Sequence, residues 1–465
     1  MYFSSLIFLF LYLPLVLLCY YIIPVKARNF FLLLVNLVFY GWGEPVFIVI
    51  MLISITVNYI CGIFIEKYRS NERRSKAFVA LSVIISLGLL GIFKYTNFLT
   101  GLLRQIPFLS FLPKTNIALP IGISFYTFQA MSYTIDVYRG DTKTQKSLVN
   151  FGTYVSFFPQ LIAGPIVRYR DVAYQLDHRR ENGTQFAAGI RRFIVGLAKK
   201  VLIANQAGMY WDMMRPLTDN GGFLCAWLGI IGYALQIYFD FSAYSDMAIG
   251  LGRMFGFEFI ENFNYPYISR SIAEFWRRWH ISLSTWFRDY VYIPLGGNRC
   301  KTSRHIFNLF VVWALTGFWH GANTNFILWG IFFFVILIAE KFIYGKYLEK
   351  LPSFVGHIYS VIIILLSWVL FYFESFSELA AYVKNMFSLN NGIISHDALS
   401  ITISFLPLLI VGIIGSTPAM KNLYDKVKTK PLYNAAEITL CAVILLICTA
   451  SLVSQSYNPF LYFRF

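Results

Sequence analysis

The chain has 465 residues, of which 57% are hydrophobic and only 13% charged, against about 25% charged in an ordinary soluble domain. That composition excludes a water-soluble globular protein and points to lipid as the solvent. The formal charge of +16 does not imply nucleic acid, because no basic soluble domain exists to carry it; Lys and Arg are expected in cytoplasmic loops instead.

The N-terminus is apolar at once, with no basic leader and no small-residue cleavage site. It therefore reads as a retained first span over 3–24. Further apolar runs follow at 29–43, 46–65, 77–93, 95–113, 118–135, 149–167, 222–239, 306–320, 323–340, 357–373, 399–415 and 434–453. Spanning takes about 20 residues, so short runs such as 29–43 and 306–320 are expected to be broken or re-entrant elements facing protein or a cavity. The pattern predicts an all-α polytopic membrane protein of about 10–13 helices. With no internal repeat and no compositional break, residues 1–465 are expected to form one membrane-embedded domain.

Basic clusters at 66–76, 168–200, 299–305 and 421–430 mark cytoplasmic surfaces, which sends the C-terminus to the outer face after the span 434–453. Between Phe186 and Val201, the residues Phe186, Ile190, Phe193, Ile194, Leu197 and Val201 keep helical spacing, with Arg191, Arg192, Lys199 and Lys200 off the stripe. A helix lying in the inner interface is expected there, its charges mostly solvated. The sequon at Asn182-Gly183-Thr184 would be idle on a cytoplasmic surface.

Ionisable residues within apolar runs each need an account. Asp240 and Asp246 lie in or at the end of one such run, and one of them is expected to pair with an arginine of the segment 277–288. His280 lies in Ser271–Asp289. Read as one helix, that segment puts Ile272, Phe275, Trp276, Trp279, Leu283, Trp286 and Phe287 on one stripe, with His280 at its edge and Arg277 and Arg288 just beyond. A histidine bordering aromatic and cationic faces suits a polyanionic ligand, and an interfacial anchor with snorkelling arginines suits it equally. Asp289 is placed to orient Arg288. Next, Pro294 and the pair Gly296-Gly297 make a turn before Arg299. Glycines and an arginine there would admit a phosphate, although the run is not a P-loop.

His320 ends the run from Ile306, about 21 Å along a helix axis, deep in a hydrocarbon core of about 30 Å. Flanking Gly317 and Gly321 would admit a ligand or another backbone. A neutral imidazole is the least costly base to bury and serves as a general base near neutral pH; the plain alternative is an interhelical hydrogen bond. Of the other histidines, His178, His305 and His396 are assigned to loops and His357 to an interface. The six cysteines form no CxxC pair, and neither metal-ligand spacing nor a disulfide framework is evident. Five lie in apolar runs as small buried hydrophobes; Cys300, in a basic loop, is a candidate reactive thiol, with an inert side chain the favoured reading. No Ser-His-Asp order and no GxSxG occurs, so a hydroxyl nucleophile is expected from a substrate or partner.

Taken together, Glu274-Phe-Trp-Arg-Arg-Trp-His280, Trp286–Arg299 and Thr316-Gly-Phe-Trp-His-Gly-Ala322 resemble the membrane-bound O-acyltransferase family. Asp240–Asp246, Phe158–Ile166, Leu119–Phe128 and the ending Asn458–Phe465 extend the resemblance over nearly the whole chain, with core motifs across 119–340. Ala243 and Ala322 depart from it without consequence. Pro294-Leu-Gly-Gly-Asn-Arg299 is similar to the alginate and peptidoglycan O-acetyltransferase branch; the teichoic acid D-alanyl transferase resembles the segments around His280 and His320 but lacks that run.

The resemblance implies a ring of transmembrane and re-entrant helices around a thin funnel or tunnel. It implies His320 as catalytic histidine and His280 as the second functional one. It also implies acetyl-CoA as a cytoplasmic donor substrate with no permanently bound cofactor, and an extracytoplasmic SGNH-type partner that esterifies a sugar hydroxyl. The expected setting is a bacterial inner membrane, in contact with its lipids. Donor binding is expected near Arg277, Arg278, Arg288, Arg299 and Trp319, with Asp240 and Asp289 in support. Transfer of D-alanyl or another acyl group, a transporter or flippase, and a scaffold for polysaccharide export remain the alternatives.

Overall fold

The computed structural model of the chain describes residues 2–429, 433–455 and 457–461. Every regular element among the described residues is a helix, and none is a strand. Among the described residues, seven helices are long and apolar enough to cross a bilayer: Ile48–Lys67, Glu72–Leu103, Phe223–Met254, Thr324–Leu348, Ser353–Tyr372, His396–Gly415 and Ala435–Ser454. The chain is thus an all-α, multi-pass membrane protein. Shorter helices such as Arg28–Gly43 and Ile123–Arg139 supplement the spans.

Three expected spans have a different form. The runs 77–93 and 95–113 fuse into one helix, Glu72–Leu103, through a π turn at Gly91–Tyr95. Lys94, which marks a boundary in the sequence, is buried there and donates to Ser124 Oγ at 3.2 Å, so the helix need not stop to solvate it. The run 149–167 instead breaks into Leu148–Ser156 and the single turn Phe158–Leu161. Pro159 has no N–H to continue the helix onto Val155 O and is tolerated only in a first turn, so the chain breaks at Phe157 and restarts, and Gly164-Pro165 prevents resumption.

Contacts within the chain gather into two compact units. The first comprises Met1–Phe193 and Tyr244–Ile260. Its core includes Phe3, Phe8, Phe39 and Phe158, whose rings meet at centroid distances of 5.0–6.3 Å. Ion pairs within it join Arg28 to Glu181 at 2.8 Å and Arg192 to Asp246 at 2.6 Å. The second unit comprises Ile194–Ala243 and Glu261–Phe465, and it contains both histidines singled out above.

The amphipathic segment is helical as expected, running from Gly183–Ala198 through a π segment, Lys199–Ala204, to Asn205–Met214. Phe193, Leu197 and Val201 are buried. Lys200 departs from the expected solvated face, because it too is buried and ion-paired.

Candidate active site

His320 is the last residue of the helix Thr302–His320, and Gly321 beyond it is extended. The next helix, Thr324–Leu348, returns immediately. The two cross where Gly317 meets Gly330. A Cβ on Gly317 would lie 2.4 Å from Phe326 O, and one on Gly330 would lie 2.4 Å from Trp313 O. The small residues before His320 therefore admit a neighbouring backbone. Gly321 has a ring as its neighbour, since a Cβ there would lie 2.3 Å from the Phe326 ring.

That crossing sets His320 among aromatic rings. Its imidazole meets Trp319, Trp329 and Phe371 at 5.0, 4.9 and 5.4 Å, all edge to face. Asn325 Nδ2 donates to Phe371 O at 2.9 Å and so fixes that wall to the start of the returning helix. Trp368 Nε1 donates to Tyr267 Oη, which donates to Ala234 O, holding a second wall. A narrow cavity results, lined by Ile237, Asp240, Phe241, Trp279, His320, Trp329, Trp368, Phe371, Phe460 and Leu461.

Asp240 is the one carboxylate in that lining. It pairs with Lys200 at 2.6 Å, both side chains being 3% exposed. Its second oxygen accepts from Leu461 N at 2.8 Å, while Lys200 Nζ donates to Pro459 O. Asn205 Nδ2 to Asn458 Oδ1 and Tyr457 Oη to Asp212 Oδ2 extend the attachment. A buried ion pair thus clamps the segment 457–461 as part of the cavity wall. Neither Asp240 nor Asp246 pairs with the 277–288 arginines: each finds a cation on the helical stretch 183–214, where the sequence pattern suggested a solvated face.

The segment around His280 is not one helix. Ile272–Arg278 ends, Trp279 is extended, and His280 lies in the left-handed region at φ 44° before Ile281–Phe287 begins. A non-glycine residue there is uncommon and worth about 1–3 kcal/mol of strain. Tertiary hydrogen bonds hold the break. Glu340 accepts from Ile272 N and Ala273 N at 2.6 and 2.9 Å, and Asn262 O accepts from Ile281 N at 3.0 Å. The expected apolar stripe is nonetheless buried throughout. His280 itself is 1% exposed, with Phe241 at 4.7 Å and Trp319 at 5.8 Å. Trp319 therefore touches both histidines. Burial, aided by the neighbouring His320, holds the His280 imidazole well below its ordinary pKa, so it is neutral at pH 7.

The arginines are not gathered at this cavity. Arg277, Arg288 and Arg299 are exposed. Arg288 pairs with Asp289 at 2.8 Å, as expected. Arg278 is held by Glu274 at 2.8 Å and donates to Asn264 O, a structural arrangement. The glycine turn is present, with Gly296 and Gly297 at φ 109° and 56°; Gly297 O accepts from Asn308 Nδ2 at 3.0 Å and so docks on the helix that ends at His320. His305 is not a loop-surface residue: it is buried and contacts Tyr292 Oη at 3.0 Å and Lys341 Nζ at 3.3 Å. Lys200, Asn262, Glu340 and the segment 459–461 escaped sequence reasoning as parts of this site. For Lys200 the available signal was a lysine one residue before Val201 on a continuing apolar stripe. Residues 462–465 of the terminal motif lie outside the described residues.

With this geometry in view, the matches to known proteins fall into place. The family model for MBOAT, the membrane-bound O-acyltransferase family, matches residues 141–377. The chain is 39% identical to the probable alginate O-acetylase AlgI of Azotobacter vinelandii over 100% of both chains. It is 33% identical to the peptidoglycan O-acetyltransferase of Helicobacter pylori, over 85% of this chain and 81% of that one. Identity to the teichoic acid D-alanyltransferase of Bacillus subtilis is 31%, over 57% of this chain and 70% of that one. The chain belongs to the membrane-bound O-acyltransferase family, and it is a membrane-bound acyltransferase.

Proposed function

We propose that the chain transfers an acetyl group from cytoplasmic acetyl-CoA toward an extracytoplasmic partner of SGNH type, for O-acetylation of an envelope or exported polysaccharide. The observation that carries this reading is His320, a buried imidazole at a helix end, opening on an aromatic-walled cavity beside a second buried histidine. The acetyl group is favoured by the full-length likeness to an alginate O-acetylase and by the likeness to a peptidoglycan O-acetyltransferase. The D-alanyl alternative rests on a likeness that covers 57% of this chain. The setting we propose is a bacterial inner membrane, with the basic loops cytoplasmic and the C-terminus outside.

In the reaction, His320 takes the proton of an acceptor hydroxyl as its oxygen attacks the thioester carbonyl. The C–S bond then breaks, and the imidazolium returns the proton to the departing CoA sulfur. The aromatic walls exclude water, which would otherwise compete for the thioester. The CoA phosphates stay at the basic face, and the exposed Arg277, Arg288 and Arg299 are the available cations there. His280 assists by holding a substrate group.

The test is consumption of labelled acetyl-CoA by membranes carrying the chain and its partner. Acetyl-CoA loss coupled to polymer-bound acetate is the expected result. Movement of substrate without thioester consumption would identify a transporter instead, and a His320→Ala chain with full function would identify a scaffold.

A further inference from the structure

The hydrogen bonds around Asn262 fix which nitrogen of His280 carries the proton. Asn262 is 1% exposed, in the irregular segment that precedes the single turn Pro266–Ile268. Its side-chain oxygen lies 3.2 Å from Ser282 N, 2.9 Å from Ser282 Oγ and 3.1 Å from His280 Nδ1. A backbone N–H can only donate. The amide atom facing Ser282 N must therefore be oxygen, which removes the usual ambiguity of an amide flip. The same oxygen faces His280 Nδ1, and Ser282 Oγ lies 3.4 Å from that nitrogen. Ser282 gives its single hydroxyl hydrogen to the Asn262 oxygen, so both neighbours of Nδ1 are acceptors and Nδ1 bears the hydrogen. In a neutral imidazole the other nitrogen is then a lone pair. That nitrogen, Nε2, is buried and has no hydrogen-bond partner among the described residues.

We propose that Asn262 is a positioning residue that locks His280 as the Nδ1–H tautomer, leaving Nε2 to accept a hydrogen bond from an O–H or N–H of a bound substrate. This deepens the reading of the site as an acyl-transfer centre and rests on it for the substrate. The consequence for mechanism is specific. A lone pair at Nε2 cannot polarise the thioester carbonyl, which requires a donor. It can hold an acceptor hydroxyl or an amide N–H of the acyl carrier's arm. The left-handed backbone at His280 has the same origin, since Asn262 O and Oδ1 together hold Ile281 N and Ser282 N.

The tautomer is read directly from the 15N resonances of histidine-labelled full chain, with His280 assigned by its absence in His280→Gln. The expected spectrum shows a protonated Nδ1 and an unprotonated Nε2; a protonated Nε2 overturns the proposal, whatever the activity. Asn262→Leu is expected to mix the tautomers and to lower the acetyl-CoA consumption rate at saturation about 10–100-fold, with KM for acetyl-CoA little changed. Asn262→Asp keeps an acceptor for both donors and favours the imidazolium. It should restore the rate at high pH and move the acidic limb of the rate profile to higher pH. Equal loss in both variants with an unmoved profile would mean a merely structural asparagine and would overturn the proposal. Because the spectrum needs no turnover, its failure is distinct from failure of the acetyl-transfer reading.

Discussion

The two histidines of the second unit are placed by opposite means. His320 ends a regular 19-residue helix, and its position follows from helix length and one glycine crossing. His280 sits at a break between two seven-residue helices, and its position follows from Asn262 and Glu340, which are 18 and 60 residues away in sequence. Local periodicity thus specifies the first residue and tertiary hydrogen bonding the second. Substitutions near His320 should act through packing or chemistry, and those near His280 through polar partners.

The largest expected effect tests the chemical half of that contrast. His320→Ala should lower acyl transfer by about 10²–10⁴-fold while the protein still accumulates, as quantified by immunoblot of membranes. Next come the clamp substitutions. Lys200→Met leaves the Asp240 carboxylate buried and unpaired, which costs about 3–5 kcal/mol. Its steady-state level should fall sharply, and Lys200→Met combined with Asp240→Leu should recover the level without recovering full activity. Recovery of both would show that the segment 457–461 is not a functional wall. A smaller effect is expected at the helix crossing. Gly330→Val places a Cβ against Trp313 O and should cost about 1–3 kcal/mol, seen as a lowered thermal midpoint of detergent-solubilised protein. The smallest is Arg288→Ala. That side chain is 59% exposed in a surface pair with Asp289, so stability should change by about 0–1 kcal/mol; any effect should appear in KM for acetyl-CoA alone.

The same contrast explains what the sequence disclosed. The helical class, most spans and the helix ending at His320 were legible because apolar runs and 3.6-residue periodicity are local signals. The fusion through Lys94 was not, because it depends on Ser124 receiving the lysine. The break at His280 was hidden for a similar reason: both short helices continue one buried stripe, so periodicity alone reads them as a single element. Asp240 was marked as needing a cation, but pairing with the arginines 277–288 was the wrong choice. Lys200 sits nearer because the π segment Lys199–Ala204 shifts the helix face, and no propensity announces that. Asn262 carried no signal beyond being an ordinary asparagine in an aromatic, polar stretch.

Topology adds a separate check on the cytoplasmic assignment. Cys300 is half-buried in the basic loop. It should resist a membrane-impermeant maleimide in intact cells and react after permeabilisation.

The central claim, that His320 performs acetyl transfer, is tested most directly in a strain lacking the chromosomal copy. That strain is complemented with wild-type chain or with His320→Ala at matched membrane levels. Base-labile acetyl esters are then measured on the envelope and exported polysaccharide. The account predicts esters with the wild type and none above background with the variant. Wild-type ester content in the His320→Ala strain would contradict it.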